Sequence, residues 1–271
     1  MEMSLKKLAL LALAAILALF FMGLTPAPDS QEEFQKTLPL NSAGTFSLKN
    51  VNGEVRISTW KEAKVEIKAL KKTNKDAQNL QKVKIEITAS ADAVSIDTVY
   101  PKHENTGVRV DYDIQVPEGV NLGGVDSVNG DVHITGPFGR VTASTTNGSV
   151  RVENASGNLR LETTNGDVEA LRIAGPIDAH TTNGDITLEL TKLEAAVTAE
   201  TTNGGVTLRL GAGQETNGLL EAETTNGSLS FDIPVTMQSL EKSRRHLRGQ
   251  IGQGGPLVSL KTVNGSIRLT R

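Results

Sequence analysis

Asn-Gly returns along this chain in a constant neighbourhood. Preceded by Val or Thr, it marks the repeats at Asn52, Asn129, Asn147, Asn165, Asn183, Asn203, Asn226 and Asn264. The last seven are separated by 18, 18, 18, 20, 23 and 38 residues, the 38 being about two periods of 19. A sustained period of this size marks a solenoid or array, in which each unit buries its apolar face only against its neighbours.

Aligning the repeats on Asn gives columns. Six residues before it stand Val141, Leu159, Ile177, Val197, Leu220 and Val258, and four before it Ala143, Leu161, Ala179, Ala199, Ala222 and Leu260. Two before it is always Thr, from Thr145 to Thr262. Three after it stand Val150, Val168, Ile186, Val206, Leu229 and Ile267, and five after it Val152, Ala170, Leu188, Leu208, Phe231 and Leu269. The residues between, such as Arg160, Glu162, Asp185, Glu189 and Arg209, are mostly polar. This period-two alternation predicts strands with one buried face.

Each repeat therefore reads as strand, Asn-Gly corner, strand and a looser second corner. An antiparallel meander of such strands needs a second layer to cover its apolar face, and the sequence offers almost no helix to supply one. A β-solenoid, akin to a parallel β-helix, closes that face on itself. Its narrow interior suits Ala, Val, Leu and Thr. Stacked coils would place like residues about 4.8 Å apart, close enough for the Asn amides to hydrogen-bond as a ladder. Gly would supply the positive φ that a tight corner requires. The fold expected is all-β: a β-solenoid with an irregular β-rich N-terminal cap, preceded by a signal or anchor helix.

The ends depart from the array. Lys6-Lys7 precede the apolar run Leu8–Leu24, the pattern of a secretory signal. At 17 residues the run is also at the lower edge of a membrane span. Residues 1–28 are thus read as a cleaved signal peptide or a retained N-terminal anchor, with membrane contact possible through residues 8–24. Residues 29–120 hold a first motif copy and several strand-like runs, and are read as the cap. Residues 121–271 form the repeats, interrupted by a loop at about 236–257 that carries Arg244, Arg245 and Arg248.

The strings "VNGEVRISTW", "VPEGVNL…VNGDVHITG", the repeated "TTNGDV" and the terminal "TVNGSIRL" resemble the bacterial "putative adhesin" family of β-strand repeat proteins, a domain of unknown function. The resemblance runs from about Phe46 to the C-terminus. It implies a β-solenoid-like fold and association with the cell envelope. It brings no catalytic residues to carry over.

Composition narrows the function. A net charge of -3 with scattered Lys and Arg argues against a nucleic-acid partner. Aromatic content of 3% leaves few stacking platforms for sugars or bases. Zero Cys removes disulfides, thiolate metal sites and a cysteine nucleophile. No phosphate loop, nucleophile elbow or zinc-protease motif is present. Two outward columns merit weighing. Glu162, His180 and Glu200 precede Asn by three residues in successive repeats, so stacking would set them side by side. They read as a charge ladder in which His relieves repulsion between the carboxylates, against the alternative of a metal or proton-transfer site. Asp131, Ser149, Asp167 and Asp185 follow the Asn-Gly pair; they read as turn residues accepting backbone N–H groups rather than a Ca²⁺ row. No residue is assigned a catalytic, cofactor-binding or metal-binding role. The expectation is a non-enzymatic, exported solenoid of the bacterial cell envelope, periplasmic, at the cell surface or anchored to the inner membrane, acting as an adhesin or binding scaffold for an envelope or surface partner. Its rivals are a polysaccharide-binding or polysaccharide-cleaving solenoid and a membrane-anchored envelope sensor or regulator.

Overall fold

The computed structural model of the chain describes residues 30–211, 217–233, 235–237 and 245–271. The signal or anchor reading of residues 1–28 and the basic residue Arg244 lie outside the described residues. Among those described, no helix is long and apolar enough to cross a membrane.

The architecture is all-β, with two sheets of 11 and 12 strands among the described residues. Each regular repeat gives one strand to each sheet and turns between them at Asn-Gly. Arg140–Asn147, for example, lies in the 12-stranded sheet and Val150–Glu153 in the other. Like strands stack in parallel and in register, so Val141 faces Leu159, which faces Ile177, which faces Val197. This is the solenoid arrangement. Every apolar column predicted from the central repeats is buried, from Val141 and Ala143 to Leu208. The two columns nearest the corner fill the narrow interior reciprocally. Leu161 is followed by Ala170 in its coil, whereas Ala179 and Ala199 are followed by Leu188 and Leu208. Close packing needs such large-small alternation.

Stacking order departs from chain order at both ends. The spacing of 38 residues between the last two Asn-Gly pairs suggests sequential stacking with a gap. Instead, the final coil, Leu257–Asn264 with Ile267–Thr270, slots between the coil ending in Val206–Leu210 and the coil containing Gly218–Asn226. The first coil, Thr45–Lys49 with Val55–Trp60, is tucked in the same way. It lies between Asn121–Asp126 with Val132–Thr135 on one side and Ala93–Val99 with Val108–Pro117 on the other. The outermost coil at each end is therefore an internal stretch of sequence.

Antiparallel strands cover these outer coils. Lys64–Thr73 and then Ser30–Pro39 extend one sheet at the N-terminal end, and Lys84–Ala89 extends the other. At the opposite end the stretch read as a loop at about 236–257 contains His246–Ile251, antiparallel to Gly218–Glu223, and Val235–Met237 beyond it. Antiparallel cover breaks the register that another parallel coil would extend, one way of managing sheet edges. Ser30–Pro39 is pinned from beneath. The buried Lys71 ammonium donates to the Glu32 carboxylate at 2.9 Å and to the Leu80 carbonyl at 3.3 Å, and Gln81 donates to the other Glu32 oxygen at 2.6 Å. Leu80 and Gln81 sit in a single helical turn, Asn79–Lys82. The cap holds the larger side chains, Phe46 and Tyr112. The Tyr112 hydroxyl lies 2.7 Å from that of Thr98, and burial pushes its pKa up.

Candidate functional site: a threonine-lined groove beside the asparagine ladder

The corner sets the geometry of everything near it. Asn129 donates from Nδ2 to Oδ1 of Asn52 at 2.8 Å, and Asn147, Asn165, Asn183 and Asn203 continue the series at 2.8–2.9 Å. The ladder then passes to Asn264 and Asn226, following the stack rather than the chain. All the amides point one way, so the bonds polarise one another. Beneath the ladder, the threonine two residues earlier donates to the carbonyl of the preceding coil's glycine. Thr163 reaches Gly148 at 2.8 Å, Thr181 reaches Gly166 at 2.9 Å and Thr262 reaches Gly204 at 2.8 Å. The alternation placed Thr among the buried columns but did not reveal this bond, which explains why Thr rather than Val recurs there.

Glycine at the corner has a second cause besides φ. Gly166 has φ +155, yet Gly265 carries no left-handed φ. At both, a Cβ would stand at 2.0 and 1.9 Å from the carbonyl oxygen of the glycine in the neighbouring coil. Close approach of stacked backbones is the shared requirement.

The column after the glycine is turned inward to the backbone. Asp131 accepts from the Ser149 N–H at 2.8 Å, Asp167 from Asp185 at 2.8 Å, and Asp185 from Gly205 at 2.7 Å. The Ser149 hydroxyl accepts from Asp167 N–H at 3.3 Å. Each bond spans two coils, so these side chains clip the stack together.

Glu162, His180 and Glu200 do stand side by side, as register partners. Their pairing differs from a simple sandwich. His180 Nε2 is 2.6 Å from Asp178, its neighbour on the same strand, and Nδ1 is 3.7 Å from Glu200. Glu162 is held by Arg160 at 2.5 Å, and Lys261 approaches Glu200 at 3.8 Å. Among the described residues no group of three or more His, Asp or Glu is placed to hold a metal ion. In the basic stretch, Arg248 bonds Glu221 at 3.0 Å across the antiparallel pair.

This column forms one wall of a groove of about 690 Å³ on the outer face of the 12-stranded sheet. The wall reads Ser144, Glu162, His180, Glu200, Lys261 and Glu223 along the stack. The opposite wall is the residue just before each Asn: Thr146, Thr164, Thr182, Thr202, Val263 and Thr225. The floor is Ser127 and the buried Thr column. Sequence reasoning found the first wall but missed the groove. Its signal was the second Thr of each Thr-Thr-Asn-Gly, outward-facing and repeated from coil to coil. Ser127 occupies the Thr column, and its buried hydroxyl has no hydrogen-bond partner.

The outer face of the 11-stranded sheet is different. Arg151 bridges Glu153 and Glu169, and Arg172 also holds Glu153. The hydrogen bond from Arg151, then that from Arg172, keeps the Glu153 carboxyl below the ordinary carboxylate pKa. A recess of about 480 Å³ near the N-terminal end mixes both charges, with Glu33, Arg56, Lys68 and Asp113 in its lining. Arg56 pairs with Glu54 and Lys68 with Glu66.

The Toastrack DUF4097 family model matches residues 19–270. No curated protein matches the chain. Among solved structures, the chain is similar to a "putative adhesin" from Bacteroides fragilis at 13% identity and TM-score 0.44, covering 91% of this chain and 100% of that one. It is also similar to a "putative cell adhesion protein" from Clostridium sporogenes, at 14% identity and TM-score 0.36, covering 89% and 99% of the two chains. A "putative lipid binding protein" from Parabacteroides distasonis aligns at 11% identity and TM-score 0.38, covering 89% and 97%.

Proposed function

This chain belongs to the Toastrack DUF4097 family, and from that premise we propose that it is a non-enzymatic binding scaffold of the bacterial cell envelope, whose groove beside the asparagine ladder is the contact surface. The observation that carries this reading is the groove's second wall. Thr146, Thr164, Thr182, Thr202 and Thr225 are all exposed and stand in one row. Stability does not require them to be Thr, since the corner is already held by the buried Thr, the Asn and the Gly. Four successive coils present Thr from Thr146 to Thr202, and Val263 separates these from Thr225; such a row suits a repeating or extended partner.

A binding role also agrees with the disposition of charge. Glu162 is engaged by Arg160, and Glu200 lies between His180 and Lys261. Such exposed pairs favour solubility and contribute little energy; none sets a nucleophile against a base. Export is part of the proposal and is supported by Lys6-Lys7 followed by the apolar run Leu8–Leu24. The first strand begins at Ser30. If the run stays in a membrane, the solenoid would sit close to the bilayer surface.

Co-sedimentation of the purified full chain with isolated envelopes tests the surface. The wild type should bind. The triple variant Thr164→Lys, Thr182→Lys, Thr202→Lys should bind at least about tenfold more weakly, because three buried-contact positions of one row become bulky and charged. Thr187→Lys with Thr207→Lys, on the outer face of the other sheet, should bind as the wild type does. Loss with the second variant but not the first would place the contact surface on the other sheet.

A further inference from the structure

We propose that the groove takes a linear, uncharged glycan strand lying along the stacking axis, about one sugar per coil. This deepens the binding-scaffold reading and rests on it. The first support is direction. Register pairs Thr163 with Thr181, Thr181 with Thr201, Thr201 with Thr262 and Thr262 with Thr224, so the groove runs straight through the tucked coil without a step. Its occupant must be extended and long.

The second support is period. Successive coils are about 4.8 Å apart. A β-linked pyranose chain advances by about one such step per sugar and can present hydroxyls to each coil in turn. An extended peptide advances about 3.3 Å per residue and about 6.6 Å between side chains on the same face, so it falls out of step with the coils.

The third support is chemistry. The exposed hydroxyls of Thr164, Thr182 and Thr202 have no hydrogen-bond partner among the described residues. A hydroxyl both donates and accepts, which matches a ligand whose own groups do the same. At the N-terminal end of the groove, Ser127 is buried and its hydroxyl has no partner among the described residues.

Charge excludes the anionic members of the class. Glu162, Glu200 and Glu223 stand in the wall against Lys261 and His180, with Arg160 beside Glu162. Phosphate-rich or uronate-rich chains would be repelled. The groove lining includes no Phe, Trp or Tyr, so it offers no large aromatic platform for a sugar. Each unit is held weakly and affinity accumulates over several coils, which predicts a strong dependence on chain length.

Calorimetric titration of the full chain with cellohexaose and chitohexaose tests the proposal, with the corresponding trisaccharides, hexagalacturonate and hexalysine as comparisons. At least one neutral hexasaccharide should bind, its trisaccharide at least about tenfold more weakly. The variant Thr164→Val, Thr182→Val, Thr202→Val keeps side-chain shape and strand propensity while deleting three hydroxyls. It should unfold at the wild-type midpoint and lose at least about tenfold in hexasaccharide affinity. The proposal is overturned if neither neutral hexasaccharide binds, if hexagalacturonate or hexalysine binds in preference, or if binding ignores chain length or the triple substitution. In those events the Thr→Lys envelope assay separates the two readings. Envelope binding still lost in the lysine variant leaves the scaffold standing without its glycan, and envelope binding unchanged in it removes both.

Discussion

Replacing Gly166 by valine should lower stability by about 3–5 kcal/mol. A Cβ there would lie 2.0 Å from the Gly148 carbonyl oxygen and 2.5 Å from its carbon. Both are backbone atoms fixed by the ladder on either side: Gly148 N–H donates to Asn165 O at 3.0 Å, and Gly166 N–H to Asn183 O at 2.9 Å. The clash is relieved only by separating two coils, which breaks the Asn165–Asn147 bond and the Thr163–Gly148 bond together. Gly124→Ala is the control. Its Cβ would meet nothing nearer than 3.5 Å, at the Asp126 carboxylate, and its φ is not left-handed. It should change stability by no more than about 0.5 kcal/mol. Denaturant unfolding of the two variants checks the expectation, and equal midpoints would mean that the coils are not stacked this closely.

Removing the last coil should have the larger consequence. Truncation after Pro256 deletes Val258, Leu260, Ile267 and Leu269, all fully buried. At about 1.5–3 kcal/mol for each buried side chain, the loss approaches the whole stability of a typical domain. It does not fall at the end of the stack. Val197–Asn203 loses its neighbour on one side, and Gly218–Asn226 loses its only parallel partner. Stability in a repeat array is a sum of neighbour terms. The coils at 197–210 and 218–231 should therefore lose amide protection while 140–173 retains it. Hydrogen exchange by mass spectrometry would show this. Protection retained throughout 218–231 would mean that this coil is supported by something other than the C-terminal strands.

The repeat was legible because its physics is local and periodic. The columns around Asn165 and Asn183 show which residues face inward, and the recurrent Asn predicts the ladder. Stacking order was not legible, because identical columns make any coil a plausible neighbour for any other. A hint to it is visible in retrospect. Phe231 stands where inner coils carry Val, Ala or Leu. Phe231 is only partly buried, as suits an outer coil. The bulge read into residues 236–257 proved in part to be an antiparallel cover, since basic and Gly-rich composition does not distinguish a loop from an edge strand. In the groove, Glu162, His180 and Glu200 were found as polar outliers. The exposed threonines were not, because Thr fits a strand whether or not it has a task.

The order of residues along the groove depends on the final coil lying between the two that precede it in sequence, and cysteine cross-linking tests that directly. The chain has no native Cys to compete. Glu200, Lys261 and Glu223 are exposed or half-buried, and register makes Lys261 the neighbour of both Glu200 and Glu223. Neighbouring strands are about 4.8 Å apart, within the range of about 4.4–6.8 Å that a disulfide spans; strands two coils apart are not. Glu200→Cys with Lys261→Cys, and Lys261→Cys with Glu223→Cys, should each oxidise to an intramolecular disulfide in the folded protein. Glu200→Cys with Glu223→Cys should remain reduced. A disulfide between positions 200 and 223, with none between 200 and 261, would show coils stacked in chain order and would contradict the account.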